Sequence, residues 1–377
     1  MSILFSALVF GGTAGRAVDV VWSTNAHGVN AVTCVTFAGN SVSLASASLD
    51  HTAQVWAVSN VVRLRLLGSL TTMHAVALSS DGALVVTGDS DGQIRMWRMS
   101  DGGRVWGNAT SPTTIKGVAF SPDDSRVADA REIDANKGHL YIHRTSDGQG
   151  TVFEQRSAPF YAVRFSPGGD LLASASADQT VVLWRVSDGA IVRSLSAHSN
   201  AVYSVDFSPD GTLLATASED GTARLWKVND GTVARVIEGG GGKAARFSAD
   251  GKLLLTVNTG TIKVWRVADG MLLQTYADTG AEVLAVAPNG QYFAYGTSSG
   301  AVVLARMPVV LNLPGRTNEQ LRLEWQGGTG LYQLQQTSNV VSPVWENVGG
   351  ITTNLATNVP LTATNTFFRI QSLTNPP

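Results

Sequence analysis

The stretch AHSNAVYSVDFSPDGTLLATASEDGTARLW, residues 197–226, decides how the chain is read. It ends in an apolar run closed by Leu225-Trp226, and the same ending recurs at Val55-Trp56, Met96-Trp97, Leu183-Trp184 and Val264-Trp265. Successive tryptophans lie 41, 87, 42 and 39 positions apart, so the long interval holds two units. Its missing member is Ile142-His143, with His in the place of Trp, and a further unit ends at Leu304-Ala305. A fixed period of this length is the signature of a repeat architecture.

Two turn signals keep the same register. Upstream of the Trp position stand Asp81-Gly82, Pro122-Asp123-Asp124, Pro167-Gly168-Gly169, Pro209-Asp210-Gly211, Asp250-Gly251 and Pro288-Asn289-Gly290, with a looser equivalent at Ala38-Gly39-Asn40. Downstream come Asp101-Gly102, Asp147-Gly148, Asp188-Gly189, Asp230-Gly231 and Asp269-Gly270. Proline presets φ and glycine takes positive φ, so each is a turn between short strands. No segment keeps a helical period. The reading is all-β, with about four strands per unit.

Composition agrees. The 377 residues exceed one ordinary domain, and 44% of them are apolar, enough for a large core. Basic residues (27) and acidic residues (29) nearly balance, which removes the electrostatic case for nucleic-acid binding. A single cysteine, Cys34, excludes an internal disulfide framework and a Cys-rich zinc site.

Residues 197–226, and YAVRFSPGGDLLASASADQTVVLW at 161–184, resemble the WD40 repeat almost position for position. The resemblance covers roughly residues 17–306 and implies a seven-bladed β-propeller occupying residues 1–308. It also implies a structural His–Ser/Thr–Asp–Trp tetrad. The tetrad is complete as His198, Thr216, Asp220, Trp226 and, with one residue inserted, as His27, Ser46, Asp50, Trp56. Units ending at Trp97 and Trp184 lack the His, and the third, sixth and seventh lack the Asp. Residues 17–22 (AVDVVW) are expected to supply the last blade's fourth strand and so remove an exposed edge. The apolar run Ile3–Phe10 before them is too short to span a bilayer; an extra strand, an atypical signal segment and a truncated repeat all remain open for it.

Beyond Pro308 the period stops. Residues 309–377 read as short alternating strands (321–325, 331–337, 344–348, 357–361 and 367–372), the pattern of a small antiparallel β-sandwich. Their spacing resembles the fibronectin-type-III-like modules that end many bacterial exported proteins, which points to export or the cell surface. Trp325, Tyr332 and Trp345 form either its core or a surface that stacks on a polysaccharide.

Motifs for chemistry are weak. Gly88-Asp89-Ser90-Asp91-Gly92 has the spelling of a nucleophile elbow, but a strand rather than a helix should follow it. Gly239–Lys243 lacks the first glycine and the Ser/Thr of a phosphate loop. Asp134–Gly138 is only a fragment of a calcium loop, in a hairpin about five residues longer than its equivalents. Asp129, Arg131, Glu132 and Asp134 charge that hairpin, through drift or as a binding protrusion. His139 and His143 are poorly spaced for chelation on a strand. No cofactor or metal is implied and no catalytic residue is assigned.

What remains is surface. Four positions before Phe207 and its equivalents stand Thr33, His74, Lys116, Tyr161, Tyr203, Lys243 and Glu282. The residues before the turn Asp or its equivalent are Leu49, Ser90, Asn136, Ala177, Glu219, Asn258 and Ser298. In WD40 proteins such positions gather at the mouth of the central channel and carry partner contacts. Tyr161 and Tyr203 on adjacent blades would form an amphipathic anchor, and Lys116, Lys243 and Glu282 would steer a mixed-charge ligand. The expected function is a non-enzymatic scaffold for a peptide or protein. A propeller hydrolase or lactonase, and an extracellular carbohydrate binder, are the alternatives.

Overall fold

The computed structural model describes residues 18–109, 113–134 and 137–308, and beyond them the backbones of the strands in 310–373. Every regular element is a β-strand. Five four-stranded antiparallel sheets follow one another along the chain. The first comprises Val32–Phe37, Ser43–Ser48, Thr52–Ala57 and Arg63–Gly68; the second Met73–Leu78, Leu84–Asp89, Gln93–Arg98 and Arg104–Ala109. The third is built from Thr114–Phe120, Arg126–Asp134, Lys137–Arg144 and Gly150–Arg156. The fourth runs from Phe160–Phe165 to Ile191–Ser196, and the fifth from Val202–Phe207 to Val233–Glu238.

A seven-stranded sheet completes the series. Its strand Leu272–Val286 is unusual in serving two neighbours. Leu272–Tyr276 pairs with Gly260–Arg266, and Ala281–Val286 pairs with Tyr292–Thr297. The sixth and seventh sequence units are thus joined by continuous strand where a loop stands elsewhere, with Gly280 at positive φ (66°) taking up the bend. At the far edge, Val20–Thr24 pairs antiparallel with Val302–Arg306, Thr24 opposite Val302.

The core lies between sheets. In Leu171–Ser176, Leu172 packs with Val182 and Trp184 against Ala119, Ala128 and Leu140 of the third sheet. Ala173 and Ala175 turn the other way, onto Val202, Val205 and Phe207 of the fifth. Strand periodicity of two thus buries both faces, which is why the middle strands read as unbroken apolar and small residues. It also accounts for a charged fraction of only 15%. The innermost strands, those beginning at Val32, Met73, Thr114, Phe160, Val202 and Ala244, each touch the next. Leu272–Val286 then touches both the strand at Ala244 and the strand at Val32, which closes the cycle.

An outer set of ties repeats around this cycle. The third residue of an outermost strand reaches the outer turn of the following sheet and donates to a backbone carbonyl. Arg65 bonds to Ser100, Trp106 to Thr145 (2.7 Å), Arg193 to Asn229, and Arg235 to Ala268 and Asp269 (2.7 and 2.8 Å). Trp22 holds the same place on the N-terminal strand. Its indole donates to the Val58 carbonyl of the first sheet at 3.0 Å, with its ring 6.5 Å from that of Trp56. Ala57 and Val58 are further locked by bonds to Val62 and Val42.

A separate compact unit contains the strands from Val310 onward. Val310–Arg316, Gln320–Gln326 and Ala356–Pro360 form one three-stranded antiparallel sheet; Glu346–Thr352, Leu331–Thr337 and Phe367–Leu373 form another. The first of these strands is absent from the sequence reading, and it holds a proline, Pro314, of a kind found mainly on edge strands.

Trp22→Ala removes a hydrogen bond and a ring contact that join the two ends of the cycle. It is expected to cost about 2–3 kcal/mol by denaturant titration. Faster amide exchange is expected in Val302–Arg306, and unchanged stability and exchange would show that the tie does no closing.

Candidate functional site

The strand ends at one rim of the cycle are brought together by a repeated backbone bond. The amides of Leu49, Ser90, Ala177, Glu219 and Ser298 donate to the carbonyls of Ala31, Thr72, Pro159, Ala201 and Gly280, at 3.0–3.2 Å. These acceptors stand at or next to the start of the innermost strands. The two sets of rim residues therefore share one end of each sheet.

Along this rim the side chains interact mainly with neighbours. Thr33 donates its hydroxyl to the Met73 carbonyl at 2.8 Å and is committed to the fold. His74 lies 3.2 Å from the Thr72 hydroxyl, and burial, then nearby Lys116, push its pKa down, so it is neutral at pH 7. Lys116 pairs with Glu132 at 2.6 Å, and Lys243 with Glu282. The two lysines therefore steer less than the sequence reading expects, because each charge is answered within the chain.

Tyr161 and Tyr203 stack with ring centroids 5.0 Å apart and planes inclined by 27°. The Tyr203 hydroxyl donates to Glu219 at 3.3 Å. Burial, reinforced by Glu132 and Glu219 at Tyr161 and by Glu219 at Tyr203, holds both phenols above the ordinary value. Both remain protonated donors at neutral pH. Asn258 is half-buried on the same rim, and Asn136 falls outside the described residues.

The tetrad residues sit inside the sheets. His198 bridges Asp220 (2.8 Å) and Thr216 (2.7 Å), and Trp226 donates to the same Thr216 hydroxyl at 3.0 Å. His27 repeats this with Asp50 and Ser46, both at 2.8 Å, and Trp56 donates to Ser46 at 3.3 Å. The carboxylates in turn accept the Thr222 and Thr52 amides at 2.9 Å. Burial outweighs the carboxylate partner and lowers both histidine pKa values. Asp220, although partly buried, is held at about 2 by His198 and the Thr222 and Ser199 donors.

Several polar groups escaped the sequence reading. Asp129 and Arg131 belong to the core, not to a charged protrusion: both are fully buried. Asp129 pairs with Arg131 and accepts from His143 Nε2 at 2.6 Å, and Arg131 lies 4.3 Å over the Tyr141 ring. Their place on the second strand of the sheet was the available signal, because both faces of that strand are buried, Val127, Ala128 and Ala130 included. Asp89 likewise binds Arg95 and the Ser69 hydroxyl. On three adjacent inner strands Arg164, Asp206 and Arg246 share one position. Burial raises Asp206 against the pull of both arginines and lowers Arg246 to about 10.

The motifs with catalytic spelling are structural. Ser90 lies in a turn between two strands. Gly241 and Gly242 donate to Gly221 and Ser218 of the fifth sheet. A Cβ on Gly241 would stand 2.3 Å from backbone atoms there, so close approach explains the glycine run. Among the described residues no three His, Cys, Asp or Glu converge as a metal site, and no helix is long and apolar enough to cross a membrane. The side chains of Trp325, Tyr332 and Trp345 lie outside the described residues.

The WD40 profile (WD domain, G-beta repeat) matches residues 19–57, 64–98, 149–185 and 189–227. Eukaryotic translation initiation factor 3 subunit I of Scheffersomyces stipitis is 28% identical over 169 residues, 41% of this chain and 48% of that protein. Small ribosomal subunit protein RACK1y of Oryza sativa subsp. japonica is 26% identical over 162 residues, covering 41% and 48%. Target of rapamycin complex subunit LST8 of Bos taurus is 29% identical over 162 residues, covering 40% and 48%. The matches thus span about half the length of these relatives. They are eukaryotic proteins and lend no support to a bacterial source. Four segments of the chain match the WD40 repeat, and its successive four-stranded antiparallel sheets are consistent with a WD40 β-propeller.

The tetrads make stability depend on pH with a definite sign. The folded chain holds His27 and His198 neutral, so the unfolded chain binds more protons below 6.5. Their contribution is complete above that pH and is lost as the pH falls. A second loss follows below 3.8 toward about 2, as Asp220 protonates. Denaturant titration from pH 8 to 2 is expected to show both limbs, with Asp220→Asn shrinking the acid one. Constant stability between pH 7 and 5 would contradict the assignment.

Proposed function

We propose that the chain is a non-enzymatic interaction scaffold, a seven-bladed WD40 β-propeller over residues 1–308 that binds a peptide or protein on its mouth rim. The seventh blade is counted by dividing the seven-stranded sheet within Leu272–Val286. Residues 309–377 act as an appended, fibronectin-type-III-like β-sandwich that tethers or adheres, in keeping with work outside the cell or at its surface.

The observation that carries the reading is the Tyr161–Tyr203 stack beside Glu219. Half-exposed aromatic rings on a rigid strand end lose little entropy on binding, and such groups dominate interface energetics. The relatives' names agree: each is called a subunit, or a ribosomal-subunit protein, of a larger assembly.

Affinity capture with the intact chain, beside a Tyr161→Ala/Tyr203→Ala/Lys243→Glu variant checked for folding by circular dichroism, tests the proposal. A protein retained by the first bait and lost by the second is expected. Identical capture by both, or none by either, would remove the rim as the binding face.

A further inference from the structure

The charges of the rim do not cancel. Lys116 is answered by Glu132 and Lys243 by Glu282, which leaves Glu219 over. Glu219 is exposed, its amide is fixed by Ala201, and among the described residues its side chain meets the neutral Tyr203 hydroxyl and no cation. His74 adds no positive charge, because burial keeps it neutral. An unpaired carboxylate thus stands against two stacked phenol rings.

Resting on the mouth-face reading above, we infer that the Tyr161–Tyr203 stack and Glu219 seat a guanidinium group, an arginine side chain of the partner. Aromatic faces are negative and attract a cation lying over them. A carboxylate at their edge supplies the opposite charge and an acceptor for a forked donor. An aliphatic or aromatic side chain could cover the same rings, but it would strip water from Glu219 without giving it a counter-charge. An anionic side chain would meet Glu219 and Glu132 directly. Between the two basic side chains, arginine fits better. Its planar group stacks on a ring and still presents two N–H donors to one carboxylate, whereas an ammonium is a compact, strongly hydrated point charge.

The neighbours favour this occupant. Among the five charged groups Lys116, Glu132, Glu219, Lys243 and Glu282 the balance is negative. Both lysines are already engaged, so an incoming guanidinium does not meet a free cation on either side. Burial, and then the carboxylates, push both phenols further above neutral pH, so the rings are neutral and the Tyr203 hydroxyl is a donor to Glu219.

The test is a random-peptide display selection on the full chain, followed by titration of selected peptides and their substituted forms. Selected peptides are expected to share one arginine. Its replacement by citrulline, which keeps shape and removes charge, should weaken binding about tenfold, and by lysine less. Glu219→Gln should weaken the arginine peptide about tenfold and leave the citrulline peptide unchanged, a coupling that a folding defect would not produce. Tyr161→Phe/Tyr203→Phe should retain most binding, and Tyr161→Leu/Tyr203→Leu should lose it. Peptides that depend on the rim tyrosines but hold no essential arginine would overturn the guanidinium seat and leave the mouth face standing. Peptides indifferent to every rim substitution, or no selected peptides, would overturn both.

Discussion

Closure is the constraint on which the rest of this fold depends. Each middle strand carries apolar side chains on both faces, so every sheet needs a neighbour on either side. An open row of such sheets would leave one apolar face bare at each end. The chain avoids this by bringing Val20–Thr24 beside Val302–Arg306, across nearly the whole length of the repeat region. Loop-closure entropy grows only slowly with chain length, so this distant pairing costs little more than a nearer one. Trp22 then treats the first sheet as Trp106 treats the third, through an indole donating to an outer-turn carbonyl.

Within the sheets a second rule operates, and it concerns satisfaction rather than residue type. In four sheets an indole N–H at the end of the third strand meets a hydroxyl on the second, at Ser46, Thr87, Ser174 and Thr216, and the seven-stranded sheet repeats it at Thr256. The third sheet fills the same slot with His143 and Asp129, and Arg131 balances the carboxylate. In the second sheet Ser69, Asp89 and Arg95 replace the histidine-centred network. The slot tolerates different chemistry provided each buried donor and acceptor finds a partner. A degenerate tetrad is therefore a substituted network, and loss of the family residues need not loosen the sheet.

These substitutions mark the limit of what could be read from sequence. The Trp period and the Asp-Gly turns expose the repeats, because both belong to contacts within one unit. Asp129 and Arg131 looked like surface charge because they sit in an extended hairpin; only their place on a middle strand, buried on both faces, reveals otherwise. The outer ties were illegible for a different reason. Arg and Trp both serve at the same place in the strand, and the separation from their carbonyls varies between 33 and 39 positions, so neither one residue type nor one spacing marks the ties. At the rim, position was legible and partnership was not. Counting from Phe207 finds Lys116, Lys243 and Glu282, but the pairing of charges runs across strands and depends on side-chain reach.

The rim and the core answer to separate demands. At the turn before the third strand, Leu49, Ser90, Ala177, Glu219 and Ser298 make the same backbone bond despite sharing no side-chain chemistry. The amide does the structural work, and the side chain is released from it. Exposed ion pairs such as Lys243–Glu282 contribute little to stability, so their replacement would leave the cycle closed. What they change is the local field. With stability held by the buried slots and the closing strand, the residues around Tyr161 and Tyr203 can vary charge by charge without cost to the fold. On the proposed reading, binding preference is set by which rim charges lack a counter-charge, and Glu219, bonded to the Tyr203 hydroxyl, is such a charge among the described rim residues.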